Sequence, residues 1–175
     1  IDWTVYGKIR QVNKTGGIYI KFEYDATGNR VVKETNTYIE FYVRDASGNT
    51  MANYKYIKSS TEYKWTESPI YGSSRIGVYN ADMVITSTST SSEPILLRGK
   101  KQYELSNHLG NVNVVISDKK IPVCSGTSLT EFIADIISAS DYYPFGMLMP
   151  ERSFSSADYK YGYSGKEKDN EFNVD

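Results

Sequence analysis

The chain has 175 residues, 20 of them basic and 21 acidic, for a net charge of −1. That length supports one domain with a real core, and the charge balance supplies no broad field for nucleic acid or an anionic membrane. One cysteine excludes an internal disulfide, and no apolar run is long enough to span a bilayer, so the chain is not expected to be membrane-embedded.

The remaining composition points to β-structure. There are 16 Tyr and 13 Gly, and only 39% of residues are hydrophobic. Tyr favours strands that are half buried, because an apolar ring ends in a polar tip, and Gly favours turns. The opening Ile1-Asp2-Trp3-Thr4 is not a signal peptide and reads like the middle of a strand. A piece of a longer product is therefore expected.

In chain order, the first clear element is residues 18–24, Ile-Tyr-Ile-Lys-Phe-Glu-Tyr. Ile18, Ile20, Phe22 and Tyr24 share one face, while Lys21 and Glu23 point the other way. A period of two marks a strand with one buried face. The turn candidate Asp25-Ala26-Thr27-Gly28-Asn29 follows, then a β-rich run over 30–33. A strand over 38–44 leads to a second turn, Asp45-Ala46-Ser47-Gly48-Asn49. The strand after it, 50–58, sets Ala52, Tyr54 and Tyr56 on one face. Asn107-His108-Leu109-Gly110-Asn111 repeats the turn with Asn in place of Asp.

The residue types in this turn have a physical reason. An Asp or Asn at the first position accepts hydrogen bonds from the turn's own amides. Gly at the fourth takes the left-handed conformation that closes a type I turn with a bulge. Gly28 and Gly48 stand one repeat of about twenty residues apart, room for two strands and two turns, and Gly110 lies about three such periods further on.

Two segments read as loops: 86–92, made only of Thr and Ser, and 122–126. The next stretch is ambiguous. Ser128 and Glu131 have capping-box spacing, and Leu129, Phe132, Ile133, Ile136 and Ile137 fall at helical intervals. Taken alone, this favours a short helix, although residues 132–143 are rich in Ile and Tyr and run straight into a Pro144-Phe145-Gly146 turn.

Several segments together resemble the RHS, or YD-repeat, family. Tyr24-Asp25-Ala26-Thr27-Gly28-Asn29-Arg30 is similar to its repeat, and residues 42–49 look like a second copy. Residues 3–9 are similar to a segment that commonly precedes them. Asn107-His108-Leu109-Gly110-Asn111-Val112, Asp141-Tyr142-Tyr143-Pro144-Phe145-Gly146-Met147 and residues 161–169 resemble the family's later motifs, and in its order.

The resemblance implies an all-β architecture of antiparallel hairpin repeats forming part of a coiled β-sheet shell. It divides the chain into repeat hairpins over 1–121, a loop insertion over 122–131 and the start of a core region over 132–175. It also implies that the residues leading into Asp141 are extended, with a strand from about Phe132.

In bacterial members such a shell encloses a toxic C-terminal passenger, and related animal proteins use a similar shell for extracellular adhesion. The core segment plugs one end, and in several bacterial members aspartates beyond it carry out self-cleavage. Those aspartates have no counterpart up to Asp175, so no catalytic residue carries over. The expectation is a secreted or cell-surface structural segment of a toxin-encapsulating shell. Its expected partners are the remainder of the shell, its passenger and secretion machinery. The rival readings are an adhesion module on the same fold and a secretion-system substrate held by its translocon.

Nothing in the residues recommends chemistry of their own. His108 sits in a predicted turn and Cys124 in a polar loop, neither with an evident catalytic partner. The oxygen-rich turns lack the alternating carboxylates and terminal Glu of a calcium loop. No cofactor or metal is expected. The run 166–171 mixes both signs and reads as a solvated edge. Tyr54, Tyr56, Tyr63, Trp65, Tyr71 and Tyr79 read more simply as cross-strand ladders than as a sugar- or peptide-binding stripe.

Overall fold

The computed structural model describes residues 1–85, 97–155 and 159–168. The expected polar loop over 86–92 lies outside the described residues. The fold is all-β. The first strands are β1 (Asp2–Trp3), β2 (Ile9–Lys14), β3 (Ile18–Tyr24), β4 (Arg30–Thr35), β5 (Tyr38–Arg44) and β6 (Thr50–Ile57). They are followed by β7 (Glu62–Tyr71), β8 (Arg75–Ile85), β9 (Lys101–Ser106), β10 (Val112–Ser125), β11 (Ser128–Tyr142) and β12 (Leu148–Ser155). Strand order in the sheet is chain order, so the topology is a meander of antiparallel hairpins. The described residues fall into two compact units, 1–69 with 80–85, and 70–79 with 97–155 and 159–168.

In the first unit the two faces of the sheet differ in chemistry. Register pairs Val32 with Phe41, Phe41 with Tyr54 and Tyr54 with Trp65, giving one half-exposed apolar and aromatic row. Beside it Tyr56 faces Tyr63 with ring centroids 4.9 Å apart, an aromatic ladder across β6 and β7. Lys58 closes the neighbouring corner, donating to Glu34 at 2.8 Å and to the Tyr19 hydroxyl at 3.0 Å.

The opposite face is the buried one. It carries Ile20, Phe22 and Tyr42, and also Lys33, Glu40, Asn53 and Glu67. Buried ions cost several kcal/mol each unless paired, so side chains of both signs recur on this face. Lys33 stands opposite Glu40. Asn53 Nδ2 donates to Glu67 Oε1 at 2.9 Å, and the Tyr42 hydroxyl donates to Glu40 at 3.3 Å.

The second unit has a more conventional core. Val78, Val112 and Val115 pack with Tyr159 and Tyr161, and Ile137 joins from β11. Each fully buried valine contributes about 1.5–3 kcal/mol of transfer free energy. Residues 159–168 thus form a strap that returns onto the strands of this unit, with a 3-10 turn at Tyr163–Gly165 and a bridge between Tyr161 and Glu167.

The expected loop over 122–131 is corrected. It is the tip of the β10–β11 hairpin, in which Ile121, Pro122 and Val123 pair with Ile133, Phe132 and Glu131. Pro122 is tolerated because, among the described residues, the β9 ladder on β10 ends at Ser117, so no described neighbour on that side needs its missing N–H. The turn needs only Gly126 and Thr127 between the paired Ser125 and Ser128. Gly126 has φ +63° and Thr127 is not among the positive-φ residues, the pattern of a type II′ turn.

The strand implied from about Phe132 starts at Ser128, and the helical spacing over 128–137 does not produce a helix. Register shifts at Val115/Ile116, Ile116/Lys120 and Val123/Cys124 interrupt the pairing, and bulges of this kind break the two-residue period that marks a strand.

Candidate functional site

Turns built on one backbone pattern recur along the chain. In each, the first residue's N–H donates to the carbonyl of the fifth, and the fourth residue's N–H donates to the carbonyl of the first. Asp25–Asn29, Asp45–Asn49 and Asn107–Asn111 have it, with both bonds between 2.9 and 3.1 Å. Gly28, Gly48 and Gly110 stand at φ +85°, +88° and +78°. The same bonds close Thr4–Lys8, Tyr143–Met147 and Gly162–Lys166. Sequence reading found the Pro144-Phe145-Gly146 turn but not its kinship with the others, and it missed the first and last as turns of this kind.

The side chain at the first position then adds its own acceptor. Asp25 Oδ1 takes N–H bonds from Thr27 at 2.9 Å and Asn29 at 2.8 Å, and the Thr27 hydroxyl at 2.7 Å. Its second oxygen takes Asn29 Nδ2, which explains Asn at the fifth position. These bonds, with the Thr27 hydroxyl foremost, pull the Asp25 carboxyl down to about 2. Asp45 repeats the arrangement through Ser47 and Asn49 and is also lowered, chiefly by the Asn49 side chain. Asn107 offers the same acceptor without charge, to Leu109 and Asn111.

Alternate turns of a meander fall at the same end of the sheet, so the turns meet one another. A β-carbon on Gly28 would stand 3.3 Å from Lys8 Cε, and one on Gly48 would stand 3.0 Å from Asn29 Nδ2. In the second unit the Ser164 N–H donates to Asn111 Oδ1 at 3.0 Å. The Tyr163 ring covers Gly146, and it meets Tyr142 edge-on at 5.6 Å. The turns thus dock in groups of three: Thr4–Lys8 with Asp25–Asn29 and Asp45–Asn49, and Asn107–Asn111 with Gly162–Lys166 and Tyr143–Met147.

One cluster fixes the strap. Arg75 Nε donates to Glu104 Oε1 at 3.0 Å and Oε2 at 3.2 Å, and Arg75 Nη2 donates to the Gly165 carbonyl at 2.8 Å. The guanidinium lies 3.7 Å from the Tyr161 ring centroid, a cation–π contact. The Tyr159 hydroxyl donates to Glu104 Oε1 at 2.9 Å. Burial, then Glu104, pushes the Tyr159 phenol up, so it stays protonated and acts only as a donor. This is a clamp rather than an acid–base pair. Arg75, Glu104 and Tyr159 lie 29 to 84 positions apart in sequence, and sequence reading singled out none of them.

His108 lies exposed at a turn tip, and Cys124 is a free, exposed cysteine on β10. Among the described residues, no group of three or more His, Cys, Asp or Glu is placed to hold a metal ion. No protein-family model matches the chain, and no curated protein matches it.

Proposed function

We propose that this chain is a structural segment of a secreted RHS-type β-shell, whose work is to enclose a toxic or unfolded passenger rather than to catalyse a reaction. The observation that carries the reading is the repeated, mutually docked turn. A hairpin closed by backbone bonds and seated on the turn two strands away can be added many times without new chemistry, which is what a long curling sheet requires. The return of 159–168 onto its own strands supports a closing role for the later motifs. The remainder of the shell, its passenger and a secretion apparatus are the partners this reading implies, with the protein outside the cell or on its surface.

The test uses the native full-length protein. Terminal sequencing and intact mass define the chain around the sheet, and limited proteolysis follows any passenger. Its sites should resist cleavage until denaturant opens the sheet. Cleavage at equal rates in native and denatured protein overturns encapsulation.

A recognition module on the same fold is the second reading. It is favoured by Phe145, 99% exposed at a turn tip in a strained conformation of φ +78°. Strain held at an exposed aromatic is a recurrent mark of function. Saturable binding to cell surfaces that is lost in Phe145→Ser would select it.

A further inference from the structure

The Thr4–Lys8 turn and strand β3 line a groove of about 550 Å³ in the first unit. Sites that hold small organic ligands span roughly 300–1,000 Å³. Its lining includes Val5, Tyr6, Lys8, Arg10, Phe22 and Tyr24. Gln11 pairs with Lys21, so Arg10 and Phe22, one residue on from each, share the opposite face of the sheet. Lys8 lies over the Tyr24 ring at 5.9 Å.

The charges in this groove do not cancel. Glu23 is taken by Lys21 at 2.9 Å, and Asp25 is occupied by the amides and hydroxyl of its own turn. Lys8 and Arg10 have no carboxylate partner among the described residues. Two unpaired cations beside the Tyr24 ring, with Val5 92% and Tyr6 88% exposed, match an anionic head joined to an apolar body, while Phe22, buried beneath the Arg30 guanidinium, only floors the groove. Arg offers a fork of donors suited to a carboxylate or sulfonate, and the rings offer apolar contact.

We propose that this groove binds a small amphiphilic anion, its head held by Arg10 and Lys8 and its aromatic or aliphatic body laid against Tyr6 and Tyr24. The inference stands independently of the shell reading.

The probe is 8-anilinonaphthalene-1-sulfonate, titrated by fluorescence into the native full-length protein. Its uncharged relative N-phenyl-1-naphthylamine serves as comparison. Saturable binding of the sulfonate at one site is expected, with the neutral compound at least tenfold weaker. Arg10→Gln should weaken the sulfonate about tenfold, the loss of one charge-assisted hydrogen bond. It should leave the neutral compound and the circular dichroism spectrum unchanged, and Lys119→Gln, outside the groove, should change nothing. Equal affinity for the two compounds, or an Arg10→Gln variant that binds as tightly as the parent, overturns the proposal. So does absence of saturable binding, as when the protein's own chain fills the groove.

Discussion

The ring of Tyr163 lies over Gly146, so that a β-carbon built on the glycine would stand 2.7 Å from both Cγ and Cδ1 of the ring. Gly146 also has φ +90°. Gly110 has a similar φ, +78°, but nothing within 4 Å of its β-carbon position. The pair separates backbone strain from close approach. Gly110→Ala should cost about 1–2 kcal/mol, the penalty for a left-handed L-residue. Gly146→Ala should cost about 2–4 kcal/mol, because overpacking adds to it. Urea denaturation of both variants checks this, and equal midpoints would contradict the docking of Tyr163.

Phe145 allows the opposite change. It has φ +78° and is 99% exposed, so its ring contributes little packing. Phe145→Gly should raise stability by about 1 kcal/mol by relieving the strained backbone. A loss of stability on thermal denaturation would mean that the ring is covered in the native protein.

Asp25 makes the first unit sensitive to acid. Its folded carboxyl is lowered to about 2 from an ordinary 3.8. A carboxyl depressed by folding stabilises above its unfolded value, and that stabilisation is lost as pH falls toward the folded value. The loss therefore runs from about pH 4 down to about pH 2. Asp45 is lowered too and should titrate in the same direction. Asp25→Asn keeps an acceptor in the turn, as Asn107 does in its own. It should flatten the acid dependence while leaving the neutral-pH fold intact. Carboxyl chemical shifts followed by NMR give the midpoint directly, and an Asp25 midpoint near 4 would remove the premise.

The Arg75–Glu104 pair should show strong non-additivity. Its side chains are 18% and 3% exposed. Removing one partner leaves a buried charge, so Arg75→Leu or Glu104→Leu alone should cost about 3–5 kcal/mol. The double variant should cost less than the sum, since no lone ion remains. Hydrogen exchange should accelerate across 159–168 before the strands respond. Additive losses, or exchange unchanged in the strap, would mean that Arg75 does not hold it.

Much of this was legible in the sequence where chemistry is local. Asp25, Gly28 and Asn29 sit within five residues, and each is chosen for a bond or a dihedral inside that span. Thr4–Lys8 and Gly162–Lys166 were harder to read. Gly162–Lys166 is closed by main-chain bonds, leaving the fourth-position Gly165 as its trace, and in Thr4–Lys8 the first-position acceptor is a threonine hydroxyl, which takes the Lys8 N–H at 3.1 Å, in place of the Asp or Asn that marks the other turns. The segment 122–131 misled because Pro, Gly and Ser usually mark loops. A proline beyond the described β9 ladder and a two-residue turn use the same residues. The clamp of Arg75, Glu104 and Tyr159 was invisible because its members meet only when distant stretches fold together.

The meander also sets an order of events. Within a hairpin, partners are separated by few residues, so closing each one costs little chain entropy and does not wait for distant segments. As the polypeptide leaves the ribosome, the early hairpins can form in succession, each one templating the edge for the next. The strap cannot join this procession. Arg75 and Glu104 are made long before Gly165 and Tyr159, which lie 90 and 55 residues further along. Until then a guanidinium and a carboxylate wait with only each other for company, and the valines destined to lie beneath Tyr159 and Tyr161 remain wet. The strap is therefore made after the hairpins it covers, and its arrival is what takes Val78, Val112 and Val115 out of water.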